Sequence, residues 1–336
     1  MTSILESASA ELPPTSSPPV PIRTNTKRSG VDQAFRGVVK FSGFMTFAVL
    51  FLIGTFIFIQ ALPAFRHMGL AFFTTTQWQT KGSHAKFGIE AALFGTVIVA
   101  LVAVCVAVPV SLCAALFINE YAPLNVLGRI PIRRPLISVI DLMAAVPSII
   151  YGLWGLLVLQ PFIAPIAEWF SVHMSFLPFL RVSSGTVVFT GSYLIAGVLV
   201  AIMIMPIITS ISRELFSLTP IGEREGALAV GATRARVIGS VVLPFAKGGI
   251  VGAVMLGLGR ALGEAVAVSV ILSVSFGVSL RLDSHGITIA SLIANYWDSG
   301  GTYGFSGLLA AGFVLFVFTL TVNLIASIIV SRSRKS

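Results

Sequence analysis

The stretch EAALFGTVIVALVAVCVAVPVSLCAALF, from Glu90 to Phe117, decides the class of fold. Beyond Glu90 it carries no charged side chain. A helix that crosses the hydrocarbon core of a bilayer needs about 20 predominantly apolar residues. The stretch therefore predicts a membrane-spanning helix.

The composition extends this prediction to the whole chain of 336 residues. Hydrophobic side chains make up 56% and charged ones 10%, with a mean hydropathy of +0.95. A soluble domain carries about 25% charged residues, so an ordinary soluble enzyme is excluded. Cys105 and Cys113 lie in one apolar stretch and predict no disulfide framework.

Six charge-poor stretches are long enough to cross a membrane. They predict an all-α membrane protein in the cell membrane, with three helices kinked at internal prolines that face protein or a cavity. The predicted helices cover 41–63, 91–117, 136–159, 186–209, 249–273 and 304–331, and the prolines are Pro109, Pro147 and Pro206.

The distribution of basic residues predicts the orientation. Sixteen Lys and Arg residues fall in the segments on the side of the N-terminus and five on the opposite side. Because basic residues accumulate in cytoplasmic segments, both termini are expected in the cytoplasm. The net charge of +9 then reflects topology and requires no nucleic-acid partner. Residues 1–40 are expected to form a disordered cytoplasmic tail, 41–331 the membrane domain and 332–336 a second cytoplasmic tail.

The cytoplasmic loop 210–247 contains signals for two short helices. Thr219 is expected to cap the first helix, with Pro220 at its first position and acidic residues near its positive end. Gly231 is expected to end this helix in a left-handed conformation, and Thr233 to cap a second helix through Val242. An amphipathic hairpin lying on the membrane surface is the alternative interpretation.

Within this loop, the residues Glu225, Gly226 and Ala227, followed at fixed spacing by Gly231 and by Leu243 and Pro244, resemble the E-A-A…G…I-x-L-P motif of ABC importer permeases. Two positions depart from the motif: Gly226 replaces an alanine and Val241 an isoleucine. The resemblance implies the type I (MetI-like) permease fold, and a loop that docks into a separate ATP-hydrolysing subunit. The chain has no G-x-x-x-x-G-K-[ST] loop, so we expect it to be no enzyme and to bind no cofactor itself.

The stretch GLGRALGEAVAV, from 257 to 268, places two charges inside the fifth predicted helix. Arg260 and Glu264 are four residues apart and are expected on one helical face. Buried charges in a membrane usually face the bundle interior or a water-filled path. The pair is either a structural ion pair or an anion site in which Arg260 binds the anion and Glu264 holds its side chain. Two G-x-x-x-G spacings in the same helix predict a tight helix seam: Gly248 with Gly252, and Gly259 with Gly263.

The segment R-A-L-G-E-A, together with AAVPSIIYGLWGL at 144–156 and the stretch 72–100, resembles the C-type permease of the phosphate-specific transport family. The resemblance implies that Arg260 and Glu264 serve phosphate passage. It also implies a homologous second permease, two ATP-binding subunits and an external phosphate-binding protein received by segments 64–90, 160–185 and 274–303. A permease for another oxyanion, an ion-gradient-driven anion transporter and a membrane scaffold are the alternatives.

The remaining polar residues predict less. Asp141 is expected to pair with Arg133 or Arg134 at the membrane interface, with a gating role as the alternative. The four histidines share no spacing typical of metal ligands, so no metal site is expected. Tyr151 and Trp154 are expected to pack rather than to bind substrate.

Overall fold

The structure is a computed structural model that describes residues 30–82, 85–122, 132–173, 189–298, 301 and 303–333. Within these ranges the chain is mostly helical, with one two-stranded antiparallel sheet in which Trp78 lies opposite Phe87. The elements are α1 (Gly30–Met68), α2 (Ala71–Thr74), β1 (Trp78–Gln79), β2 (Lys86–Phe87), α3 (Glu90–Leu116), α4 (Arg133–Ala145), α5 (Ser148–Trp154), α6 (Gln160–His173), α7 (Tyr193–Ser217), α8 (Ile221–Ala229), α9 (Arg234–Val237), α10 (Leu243–Leu262), α11 (Val266–Ile271), α12 (Ile289–Tyr296) and α13 (Gly304–Ser333).

Short π-helical turns join several of these helices into longer ones. One turn extends α3 to Tyr121, one joins α5 to α6 and one joins α9 to α10. In the part of the chain that the structure describes, six helices are long and apolar enough to cross a membrane, which confirms the predicted number. They are Gly30–Met68, Glu90–Tyr121, Ser148–His173, Tyr193–Ser217, Arg234–Leu262 and Gly304–Ile328.

Helix α1 begins earlier than predicted. It starts at Gly30, so the predicted tail boundary at residue 40 lies inside a helix, while residues 1–29 fall outside the described ranges. The stretch up to Leu52 is a unit of its own, and within its described part, residues 30–52, nearly all side chains, including those of Phe41 and Phe44, are exposed. At the other end of the chain, the predicted tail from residue 332 begins within α13.

Helices α3 and α7 form the centre of the bundle, because small residues let them approach closely. At Gly197 of α7, an added Cβ would lie 2.5 Å from the Val102 side chain of α3. Farther along the same contact, Ser111 Oγ donates to the Met205 carbonyl at 3.2 Å. Close approach through small residues and hydroxyl groups is the usual basis of helix association in membranes.

The third predicted span is wrong in position because the chain leaves the helix at Pro147. Helix α4 ends at Ala145, Val146 is extended with a ψ of 130°, and α5 begins at Ser148. The proline ring clashes with a helical conformation at the preceding residue, which accounts for the break. The span therefore covers Ser148–His173 rather than 136–159.

The other two prolines remain inside their helices. Pro109 lies within α3, where it is exposed, and Pro206 lies within α7, where it is buried against protein. The prediction that these prolines face protein or a cavity is therefore confirmed for Pro206 and wrong for Pro109 in the isolated chain. Helix α7 covers Tyr193–Ser217, about two turns later than the predicted 186–209.

The non-helical segment between α11 and α12 is held against the bundle by hydrogen bonds. The first N–H groups of α7, at Tyr193 and Leu194, donate to the carbonyls of Ser284 and Leu282, each at 3.1 Å. Thr96 Oγ1 accepts from the first N–H of α12 at 2.9 Å. These bonds satisfy helix-terminal groups that would otherwise lack partners.

Candidate functional site

The fifth span ends in the region where the sequence predicts a continuous helix. Helix α10 stops at Leu262, residues 263–265 are non-helical, and α11 begins at Val266. The predicted helix 249–273 is therefore wrong in being continuous, because residues 263–265 interrupt it. Arg260 lies in the last turn of α10, where the helix dipole favours a positive charge.

Glu264 does not pair with Arg260. Its Oε1 accepts a hydrogen bond from the Ala267 N–H at 3.2 Å, and so satisfies a backbone donor at the start of α11. Within the described ranges, no ion pair involves Arg260 or Glu264. The expectation that both lie on one helical face fails because the helix ends between them.

Arg260 lies at a groove of about 630 Å³ between α7, α10 and α13. Two uncharged polar residues of α13, Thr319 and Asn323, share this groove, and its other lining residues are apolar or glycine. A guanidinium, a hydroxyl and a carboxamide together can donate several hydrogen bonds to an anion. The sequence does not single out these two residues of α13 above. Their i, i+4 spacing in an apolar helix was the signal that could have identified them.

Two glycines of the predicted seam, Gly252 and Gly259, make no close approach to another described helix of this chain. An added Cβ at Gly252 or Gly259 would meet no described atom within 4 Å. Gly249 and Gly257 make the close approaches instead, to Leu215 and to Ile208 of α7. The face of α10 that carries Arg260 is thus open in the isolated chain.

Helix α11, which follows the break at residues 263–265, lies beside helix α5, which follows the break at Pro147. Helices α5 and α11 are in contact, and a Cβ at Gly152 would lie 3.0 Å from the Ala267 backbone. Tyr151, as expected, is buried in this packing, and its hydroxyl donates to the Met143 carbonyl at 2.8 Å. Trp154 is exposed in the isolated chain.

A second candidate site is the segment from Leu218 to Thr233, which we call the coupling segment. Gly231 has a φ of +86°, and its N–H donates to the Leu228 carbonyl at 2.9 Å, so this glycine ends α8 as predicted. Thr233 Oγ1 accepts from the Arg236 N–H at 3.4 Å and caps α9, also as predicted.

Two details of the predicted loop are wrong. The N-cap of α8 is Pro220, and among the described residues Thr219 Oγ1 is buried without a hydrogen-bond partner. The second helix does not end at Val242, because it continues through α10 to Leu262. Leu243 and Pro244 accordingly lie at the start of α10 rather than in a loop.

The surface of α8 is open. Glu225 and Gly226 are exposed, and an added Cβ at Gly226 would meet no described atom within 4 Å. Ala227 is half-buried. Large apolar side chains are also exposed, among them Ile221 by 71% and, just after the helix, Val230 by 85%. Apolar residues grouped beside charged ones on a surface mark a contact with another protein or a membrane.

Arg224, next to Glu225, is the functional candidate that the sequence analysis missed. Its Nη1 lies 2.8 Å from Glu120 Oε1 at the end of the second span, and its Nη2 donates to the Phe216 carbonyl. Glu120 is far away in the sequence, so no local spacing signals the pair.

The expected pairing of Asp141 is wrong. Arg133 donates to Asn119 Oδ1 at 3.2 Å, and Asp141 is exposed, with no ion pair among the residues that the structure describes.

In the non-helical segment before α12, Arg281 and Asp283 form a bidentate ion pair at 3.0 and 2.5 Å. The hydrogen bond to the Asp283 carboxylate raises the pKa of Arg281. This segment was predicted to face the external protein, and the Asp283 carboxylate neutralises the charge of Arg281 there.

Known proteins match this chain over most of its length. Residues 112–335 fit the family described as "Binding-protein-dependent transport system inner membrane component". The chain is 38% identical over 299 residues to the probable phosphate transport system permease protein PstC of Methanocaldococcus jannaschii. This alignment covers 87% of this chain and 91% of that protein. It is 38% identical over 300 residues to the phosphate transport system permease protein PstC 2 of Mycobacterium tuberculosis, with coverages of 87% and 89%.

A solved structure of similar fold supports the architecture. It belongs to a bacterial ABC transporter involved in the import of the acidic polysaccharide alginate, with a TM-score of 0.57 at 17% identity, over 90% of this chain and 97% of that chain. The six spans and this likeness confirm the predicted permease fold and a multi-pass membrane protein. The chain belongs to the family of binding-protein-dependent transport system inner membrane components.

The left-handed turn at Gly231 generates a prediction about the coupling segment. We expect Gly231→Val to destabilise the turn by at least about 1–2 kcal/mol, because a residue with a Cβ is strained at this φ. The measurement is the rate of tryptic cleavage at the exposed residues Arg234 and Arg236, which should rise. Gly226→Ala is the control, since its site is helical and open. Equal cleavage of native protein and Gly231→Val would show that the turn does not depend on glycine.

Proposed function

We propose that this chain is the transmembrane permease subunit of an ATP-driven importer that passes inorganic phosphate into the cytoplasm. The observation that carries this proposal is the groove in which Arg260 stands without a carboxylate partner among the described residues. The relatives named as phosphate transport permeases support phosphate as the anion. In the alternative, a permease for a different oxyanion, the same groove would take another tetrahedral anion.

The chemistry of the groove suits a phosphate ion. A guanidinium donates in a planar fork that matches two oxygens of a phosphate, and it remains charged at every physiological pH. Thr319 and Asn323 offer further donors, and their oxygens can accept from a protonated phosphate. Glu264 would serve this site indirectly, by accepting the Ala267 N–H at the start of α11 beside the break.

One arginine is a weak match for an anion of charge between −1 and −2. We expect a homologous second permease to cover the open face of α10 around Gly252 and Gly259, and to contribute a comparable cation. An external phosphate-binding protein would deliver the anion to the segments at 64–90, 160–185 and 274–303. The chain itself would bind lipid, and no nucleic acid.

ATP hydrolysis is assigned to two separate subunits. The exposed surface of α8, with Glu225, Gly226, Ile221 and Val230, is the proposed docking surface for one of them. The turn at Gly231 would hold this surface at the start of the fifth span. This arrangement accounts for the absence of a phosphate-binding loop for ATP in the sequence.

The coupling segment and both termini are proposed to lie in the cytoplasm, on the basis of the bias in basic residues. In a background without Cys105 and Cys113, a cysteine at Gly226 should react with an impermeant maleimide only from the cytoplasmic side. A cysteine at Gly82 should react only from outside. The reverse labelling would overturn the orientation.

The role of Arg260 can be tested by charge removal. In proteoliposomes that contain the complete transporter, Arg260→Gln should reduce phosphate uptake about 10- to 100-fold, because hydrogen bonds to a charged group are lost. The double variant with Glu264→Gln should stay equally impaired, since the two residues are not an ion pair. Arg236→Gln, an exposed arginine in α9, is the control.

Two outcomes would contradict the proposal. Recovery of phosphate uptake in the double variant would show that Arg260 serves only as a counter-ion of Glu264. A native complex that imports sulfate or molybdate, and not phosphate, would favour the alternative oxyanion permease.

A further inference from the structure

Arg224 faces away from the proposed docking surface of α8. Its neighbours Glu223 and Glu225 are exposed, whereas 21% of the Arg224 side chain is exposed. The guanidinium donates to Glu120 Oε1 through Nη1, at 2.8 Å, and to the Phe216 carbonyl through Nη2. One side chain therefore joins α8 to the end of the second span and to the end of α7.

Glu120 is itself held by its neighbours. Asn119 Nδ2 donates to the same Oε1 atom at 2.7 Å, and Arg133 Nη2 at the start of α4 donates to Asn119 Oδ1 at 3.2 Å. We call Arg133, Asn119, Glu120, Arg224 and the Phe216 carbonyl the Arg224 network. It connects the ends of four helices on the side of the bundle that carries the coupling segment.

Among the described residues, Arg224 makes the side-chain hydrogen bonds that attach α8 to the rest of the bundle. None of the nine residues of this helix is buried, and Ala227 is the residue that packs in part against the neighbouring apolar cluster. The Glu120 side chain is 17% exposed, so the ion pair is largely removed from water. Away from water, the attraction between opposite charges is stronger and salt screens it less.

Arginine is suited to this position in a way that lysine is not. The planar guanidinium presents several donors in fixed directions and can reach a carboxylate and a backbone carbonyl at the same time. An ammonium group is a single point of charge, so it would keep the attraction to Glu120 without fixing the direction of α8 relative to α7.

We propose that Arg224 is a positioning residue that, through Glu120, ties α8 to the ends of the second span, α4 and α7, so that these helices follow α8 when it moves. The inference rests on the proposed function, in which an ATP-hydrolysing subunit docks on α8. Arg224 would act through Glu120 and would touch neither phosphate nor ATP. Without the network, α8 would still bind the ATPase subunit but would move independently of the spans.

The first measurement concerns this chain alone and needs no substrate. A nitroxide label is attached to a cysteine at Gly226, with Cys105 and Cys113 replaced, and its mobility is measured by electron paramagnetic resonance in the full chain. We expect Arg224→Gln and Glu120→Gln each to raise the mobility of the label, and the double variant to raise it no further. Glu214→Gln and Arg236→Gln, which change exposed residues nearby, should leave the mobility unchanged.

The second measurement concerns coupling in the assembled transporter. Phosphate imported per ATP hydrolysed should fall about 10-fold in Arg224→Gln and in Glu120→Gln, while subunit assembly and ATP hydrolysis persist. Arg224→Lys should lie between the native protein and Arg224→Gln. A role in folding alone would lower the yield of the complex and leave this ratio unchanged.

The outcomes separate this inference from the proposed function. Unchanged label mobility in both single variants, or an additive effect in the double variant, would overturn the network whatever the substrate is. Changed mobility with an unchanged ratio of phosphate to ATP would overturn the coupling role of Arg224. Failure of the native complex to import phosphate would overturn the proposed substrate, while the label measurement would still decide the network.

Discussion

Backbone groups within a bilayer have no water to bond, and this constraint governs where the chain can leave the helical conformation. The structure interrupts its apolar helices at Val146 and Pro147 and at residues 263–265, and the helices that follow the two breaks, α5 and α11, pack against each other. At the second break, Glu264 bonds a backbone N–H that the helix end leaves free. The break also fixes the position of Arg260, in the last turn of α10 and at the edge of a groove.

The same helix that carries Arg260 begins at the coupling segment. It runs from Arg234, just after the Thr233 cap, to Leu262, and so extends about 43 Å at 1.5 Å per residue. The Gly231 turn therefore lies just before the first residue of one continuous helix, and Arg260 lies in the last turn of the same helix. The Arg224 network adds a second connection, from α8 to the second span and α7, so the coupling segment meets the bundle at two separate points.

Local chemistry made part of this fold predictable. The apolar stretches gave the number of spans, the glycine at 231 gave the left-handed turn, and the threonine at 233 gave the cap, because each depends on neighbouring residues alone. The third and fifth spans were misplaced because hydropathy does not register a backbone break in apolar sequence. The prediction that Arg260 and Glu264 share one helical face assumed a continuous helix, but the helix ends between these two residues. Arg224 and Glu120 are 104 residues apart, so their contact exists only in the folded chain.

The central claim is that Arg260 binds the transported anion in a groove completed by the partner permease. A cryo-electron microscopy structure of the assembled transporter, trapped with phosphate, tests it most directly. The account predicts phosphate density with oxygens within about 3 Å of the Arg260 guanidinium, beside Thr319 and Asn323 of α13. An Arg260 side chain paired with a carboxylate of the partner permease, with the phosphate bound elsewhere, would contradict the claim.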